Sequence, residues 1–214
     1  VILTVLIALA IAFAVWRLFL GYPRHERAFS HLRPGEVAFL DAAAEAMFPA
    51  GGAIAISGRD ADLPRYVDRY FETLHGAKRT QIRLLLLFIE QSTAIFPAPG
   101  PRGRRRFSAL SAEQREAVLR DWSGSGLYLR RLLFTALRAV LTMGYLGHPA
   151  AMRQLRLAPH DFPTPIVEAD LLYPRIGRHP DTIPYTRADL SGPPDGTPID
   201  LDGPLHPDYA EKPL

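Results

Sequence analysis

Twelve of the chain's twenty prolines fall between Pro159 and Pro213. Proline has a fixed φ and no backbone N–H, so that density forbids both a regular helix and a central strand there. Regular structure is therefore expected upstream, and there the pattern is helical. From Pro34, the residues Val37, Leu40, Ala44, Met47 and Phe48 share one helix face, which ends at Pro49. Asp62 suits a helix N-cap with Pro64 in the first turn, and Val67, Tyr70, Phe71 and Leu74 line the apolar face up to Gly76. The spacing predicts a further helix from Ala77 to Phe96, with Ile82, Leu85, Leu86, Ile89 and Ile95 inward. The unbroken run Leu84–Ile89 marks it as central and covered on most sides. Pro97-Ala-Pro-Gly-Pro101 forces a loop.

The next stretch is an αα-hairpin. Ser111 and Gln114 are spaced as a capping box, and Val118, Leu119 and Trp122 follow at helical intervals. Gly124 and Gly126 break that helix. From Leu127, the residues Leu129, Leu132, Leu133, Ala136, Leu137, Val140 and Leu141 form one stripe of a second helix, stopped by Gly147 and Pro149. The fold class is all-α, with about five helices in residues 34–158.

Residues 1–22 read as a transmembrane anchor. Val1 to Trp16 contain Thr4 as their one polar residue, and Leu18 to Tyr22 complete about 20 residues, enough for a ~30 Å hydrocarbon core. Val5, Leu9 and Phe13 would face lipid, Arg17 would snorkel, and Trp16 and Tyr22 suit the interface. A signal peptide is the rival reading, but no small-x-small cleavage pattern follows. Residues 23–33 are a polar linker. Arg17, Arg24, Arg27 and Arg33 flank the span, and by the positive-inside rule they put the soluble part on the cytoplasmic side.

Beyond Pro159 the expectation is an extended proline-rich arm over residues 159–214. That stretch carries four cations against ten acids, while the rest has 21 cations and 12 acids. It also carries many large apolar residues, which disordered linkers rarely do. Phe162, Ile166, Leu171, Tyr173, Ile183, Tyr185 and Tyr209 are the expected partner contacts, and proline lowers the ordering entropy of such an arm on docking. Arg102, Arg104, Arg105 and Arg106 form a basic loop that is either a solvated surface or a contact for anionic lipid or an acidic partner.

Catalytic signatures are missing. No cysteine is present, which excludes disulfides, thiolate metal sites, iron–sulfur clusters and covalent haem. The seven histidines form no His-x-x-x-His or His-Glu-x-x-His, and the glycines form no dinucleotide fingerprint. Asp200-Leu-Asp202-Gly lacks the distal acid of a calcium loop. No catalytic, cofactor-binding or metal residue is expected, and no nucleic-acid motif accompanies the basic body.

One resemblance emerges from these residues. Phe107-Ser-Ala-Leu-Ser111, a helix ending Trp122-Ser-Gly-Ser125, then Arg130, Arg131 and a long helix to Tyr145 and Pro149 together resemble the small-subunit family of gluconate 2-dehydrogenase (subunit 3). Ala44-x-x-Met-Phe-Pro49 also fits that family's first helix. The resemblance covers roughly residues 32–157. It implies an accessory chain, not an enzyme by itself, that holds and tethers a large FAD-containing dehydrogenase of alcohols or sugar acids. It also implies electrons passed on to a quinone or cytochrome. The chain would be a single-pass protein of a bacterial inner membrane, with the periplasmic side as the alternative that the family's exported members suggest. The competing expectation is a scaffold subunit of another integral membrane electron-transfer assembly, respiratory or photosynthetic, whose arm clamps its neighbours.

Overall fold

The computed structural model describes the chain except residues 1, 24–27, 162–164, 175–178, 180–182, 193–195, 197–199, 201 and 211–214, and the side chains at 10 and 11. Seven α-helices are described: α1 Ile2–Phe19, α2 Pro34–Met47, α3 Leu63–Thr73, α4 Gly76–Ser92, α5 Ala112–Ser123, α6 Tyr128–Leu146 and α7 Pro149–Gln154. A 3-10 turn, Phe107–Ala109, precedes α5. No strand occurs among the described residues. The all-α expectation holds, and the chain divides into two units, residues 1–155 and 156–214.

In the first unit α2 is the central helix. It packs on α3, α4, α5 and the 3-10 turn, and Val37–Leu40 and Ala42–Ala44 are buried. The reason is size: four alanines let neighbours close in from several sides, and larger residues elsewhere fill the gaps between them. Phe39 meets Phe107 at 5.3 Å between ring centroids, and Trp122, Phe71, Leu86, Leu137 and Leu141 complete the core.

This corrects the expectation that α4 lies at the centre. Leu85, Leu86 and Ile89 are buried, but Leu84, Leu87 and Phe88 are exposed. With α2 holding the middle, α4 is covered on one side. It also stops at Ser92, whose hydroxyl donates to the Ile89 carbonyl at 2.8 Å. Ile95 lies past that end, outside the core, and is 71% exposed. The stripe on α6 is likewise buried only in its second half, at Leu137 and Leu141, while Leu129 and Leu132 face outward.

The helix ends differ from expectation in detail. Gly76 opens α4 instead of closing α3, which ends at Thr73. There the Thr73 hydroxyl donates back to the Tyr70 carbonyl at 2.8 Å, and Arg79 donates to that of Leu74 at 3.0 Å. Asp62 does occupy the N-cap of α3, but in left-handed backbone (φ 45°) and with no side-chain capping bond. Pro149 starts the short helix α7, whose N-cap His148 accepts the Ala150 N–H at 3.3 Å. The capping box at Ser111 and Gln114 forms as the spacing predicts.

In the second unit the described parts double back instead of running out as an extended arm. His160 and Leu205 form an antiparallel bridge, with the Asp161 N–H on the Pro204 carbonyl at 2.8 Å. The Ser191 N–H bonds the Ile166 carbonyl at 2.9 Å, and 3-10 turns occupy Glu168–Leu171 and Arg187–Asp189. Among the described residues of this unit Ala158 is buried and none from Asp161 onward is.

Candidate functional site

The chemistry-bearing side chains of the first unit gather where α1 ends. α1 is long and apolar enough to cross a membrane, and none of its described residues is buried, unlike a core helix of the same composition. The Trp16 carbonyl still accepts the Leu20 N–H at 3.1 Å, but the carbonyls that follow in the last turn run out of helical donors. Arg106, only 7% exposed, supplies one: a guanidinium nitrogen donates to the Trp16 carbonyl at 2.5 Å and to that of Leu20 at 2.6 Å. A cation here also opposes the negative end of the helix dipole. The same guanidinium lies over the Trp16 ring at 5.0 Å and the Tyr22 ring at 4.2 Å. Gly21 takes φ +75° and allows the chain to turn beneath it.

A second layer fixes this joint. Arg17 donates to the Arg104 carbonyl at 2.9 Å and to the Thr93 hydroxyl at 3.2 Å. Thr93 in turn donates to the Arg105 carbonyl. Gln91 donates to the Arg17 carbonyl at 3.3 Å and to the Tyr22 hydroxyl at 3.1 Å. Tyr22 lies on Gly35 so closely that a Cβ there would stand 2.9 Å from its ring.

Glu90 is buried behind the joint at 2% exposure and accepts from the Ser108 N–H at 2.9 Å and hydroxyl at 2.6 Å. Burial pushes its carboxyl up to about 6, against the pull of the Ser108 and Tyr22 hydrogen bonds and the Arg106 charge. A groove of about 420 Å³ opens beside it, with Glu36, Arg83 and Glu90 among its lining and Leu18, Phe19 and Leu87 around them.

The expected site residues fall as follows. Trp16, Arg17 and Tyr22 come together with Arg104–Arg106 at the joint. Arg102, Arg104 and Arg105 are exposed on the loop, whereas Arg106 points inward onto α1. Phe13 joins Trp16 and the four loop arginines around a second groove of about 440 Å³. Val5 and Leu9 are exposed further up α1. In the second unit Tyr173 is exposed, and Ile166, Leu171, Ile183, Tyr185 and Tyr209 are half-buried; Phe162 lies outside the described residues. Arg24 and Arg27, used in the orientation argument, lie outside them too. Among the described residues, no three His, Cys, Asp or Glu side chains gather as a metal site would.

Sequence reading missed two acids. Glu90 is one; Asp68 on α3 is the other. Asp68 accepts the backbone N–H groups of Ser30, His31 and Leu32 at 3.0, 2.8 and 2.9 Å, which fastens the linker to the helix. Burial alone pushes its carboxyl up, but the three hydrogen bonds outweigh that and hold it below the usual carboxylate range. Glu90 had a signal in the sequence, as the lone acid of an apolar helix; Asp68, with Arg65 and Glu72 one turn to either side, had none.

The residues that carry the family resemblance are all spent on structure. Phe107 and Trp122 are core; Ser111 is a cap. Arg130 lies over Phe96 at 4.5 Å and Trp122 at 5.2 Å and pairs with Asp121. Arg131 donates to the Ser125 carbonyl at 2.5 Å. Tyr145 stacks on Phe48 at 4.0 Å and donates to the Ile56 carbonyl at 2.6 Å.

A family model described as gluconate 2-dehydrogenase subunit 3 matches residues 34–159, more than half of the chain, and the chain belongs to that family. No curated protein and no solved structure matches it.

Proposed function

We propose that this member of the gluconate 2-dehydrogenase subunit 3 family is an accessory subunit that binds, stabilises and tethers a large FAD-containing dehydrogenase of alcohols or sugar acids at a membrane. The observation that carries the reading is the use made of the family's signature residues. Phe107, Ser111, Trp122, Arg130, Arg131 and Tyr145 cap, pack or pair within the helical domain. A signature spent on a fold suits a chain whose task is to present surfaces.

Three further observations support it. α1 has the length and composition of an anchor, and the joint at Arg106 gives such an anchor a fixed attachment to the domain. The exposed apolar residues of α4 and α6 form the kind of surface that marks interaction sites. The described residues of the second unit include half-exposed apolar side chains, and none from Asp161 onward is buried, as suits a partner-binding segment. In this reading FAD is held by the partner, and this chain holds no cofactor. The soluble part lies on the cytoplasmic side, with Arg17 and Arg33 beside the span.

The test is to solubilise native membranes in mild detergent, capture the full chain, and identify what accompanies it by mass spectrometry and absorption. A single large partner with a flavin spectrum is expected. A many-subunit assembly with haem or chlorophyll bands and no flavoprotein would replace the reading with that of a scaffold in another complex. A stoichiometric flavin on the isolated chain would overturn the assignment of FAD to the partner.

A further inference from the structure

The groove between α1 and the loop 102–106 has a charge that nothing lining it balances. It encloses about 440 Å³ and is lined by Arg17, Arg102, Arg104, Arg105 and Arg106 with Phe13 and Trp16; Gly21 and Ala109 complete it, and no carboxylate is among them. Three of the arginines have structural partners: Arg17 and Arg106 hold the joint, and Arg104 donates to the Ala94 carbonyl at 2.5 Å. Those hydrogen-bond partners are neutral oxygens; Glu90, buried behind the joint and outside the groove's lining, acts on Arg106 and Arg17, and no carboxylate faces Arg102, Arg104 or Arg105 in the groove. Arg102 and Arg105 make no ion pair with any described residue. Arg102 is moreover held at φ +60°, in left-handed backbone uncommon for a long side chain. Gly103 next to it packs so tightly on Ala98 that a Cβ would stand 1.9 Å from the Ala98 carbonyl oxygen, which fixes the loop's position. Five guanidinium groups around one groove, two of them uncommitted, call for an anion with several acceptor oxygens.

The other wall says what the anion is attached to. Phe13 and Trp16 lie one turn apart on α1, with ring centroids 6.2 Å apart, and both are exposed. They extend the groove from the arginines up along the apolar helix. We propose that this groove binds an anionic phospholipid, its phosphate among Arg102, Arg104 and Arg105 and its acyl chain along Phe13 and Trp16. The proposal rests on the reading of α1 as a membrane span, which puts the arginines at headgroup level. Inorganic phosphate has the same head chemistry but uses none of the aromatic wall.

Trp16 is its own reporter, since the only other tryptophan, Trp122, is buried in the core. The full chain, held in uncharged detergent, is titrated with phosphatidylglycerol brominated on its acyl chains. Saturable quenching of Trp16 is expected, and brominated phosphatidylcholine at the same concentration should quench much less. Replacing Arg102→Gln and Arg105→Gln together should weaken the phosphatidylglycerol response about 25-fold, at about fivefold per cation near an anionic headgroup. Both side chains are exposed and hold no backbone carbonyl, so the fold should survive; unchanged circular dichroism checks that. Equal quenching by both lipids, or no loss in the double variant, would overturn the proposal. So would competition by inorganic phosphate at the lipid's own concentration, which would make the groove a site for a free anion. Displacement of the lipid only by an acidic peptide of a co-purifying subunit would assign the groove to a protein and equally overturn it. In vesicles of brominated phosphatidylcholine alone, quenching of Trp16 tests the span itself. Quenching there without headgroup preference in detergent would sink the groove and leave the anchor standing.

Discussion

Glu90 is the residue with the sharpest physical consequence. Its carboxyl is buried, and burial raises it from 4.5 to about 6 in the folded chain. Between those values the folded state binds a proton that the unfolded state has already lost. Stability therefore falls as pH rises from about 4.5 to 6 and is flat above, a loss on the order of 2 kcal/mol. Glu90→Gln removes the titration but can still accept the Ser108 N–H. We expect its stability to be level across that window and to exceed that of the natural chain at pH 7.5, as measured by thermal unfolding in detergent. A natural chain that gains stability between pH 4.5 and 6, or a variant with the same slope, would contradict the assignment. Asp68 acts in the opposite direction and at lower pH, because its carboxyl is held down: its contribution is lost only as pH falls below about 4. As an acid inside Leu84–Ser92, Glu90 was legible in the sequence as an anomaly. Its partners were not, since Ser108 and Arg106 arrive across a loop that hydrophobic periodicity says nothing about.

Among the elements, the joint between α1 and the domain depends most on one side chain. Arg106 closes the C-terminal turn of α1 and supplies the cation beside Glu90. Arg106→Ala leaves the Trp16 and Leu20 carbonyls without that donor and Glu90 without its counter-charge. A cost of about 2–3 kcal/mol is expected, read as a lower unfolding midpoint in detergent. Arg106→Lys should recover only part of it, because an ammonium can donate to both carbonyls but cannot lie flat over the Trp16 and Tyr22 rings as the planar guanidinium does. Full recovery by lysine would reduce the role to charge alone. At this scale the sequence was informative about where helices lie and poor on which helix is central. The run Leu84–Ile89 looked like the middle of the domain because it is the most apolar. Yet α2 takes that place, because Ala38, Ala42, Ala43 and Ala44 admit neighbours on several sides. Periodicity reports a face; how closely helices approach is set by side-chain size, which a hydropathy pattern does not weigh. The arginine loop shows the same limit: four cations in five residues read alike, and only packing separates the buried Arg106 from the exposed Arg102, Arg104 and Arg105.

The whole molecule divides by how its parts are stabilised. Every buried residue of the hydrophobic core lies between Leu32 and Tyr145, inside the first unit. The second unit has ten acids to four cations across residues 159–214, and none of its described residues from Asp161 onward is buried. Its apolar residues, Tyr173 and Leu172 among them, gain little by staying half in water, and at roughly 25 cal/mol per Å² they would gain much by docking. Removing residues 159–214 should therefore leave the helical domain intact, with its helical circular dichroism and an unfolding midpoint within a few degrees of the full chain. It should also abolish co-purification of the partner subunit. Retention of the partner by the truncated chain would move the docking surface to the exposed faces of α4 and α6. Loss of helical signal would mean that the second unit completes the fold of the first, and that its acidic and apolar residues serve this chain and not a partner.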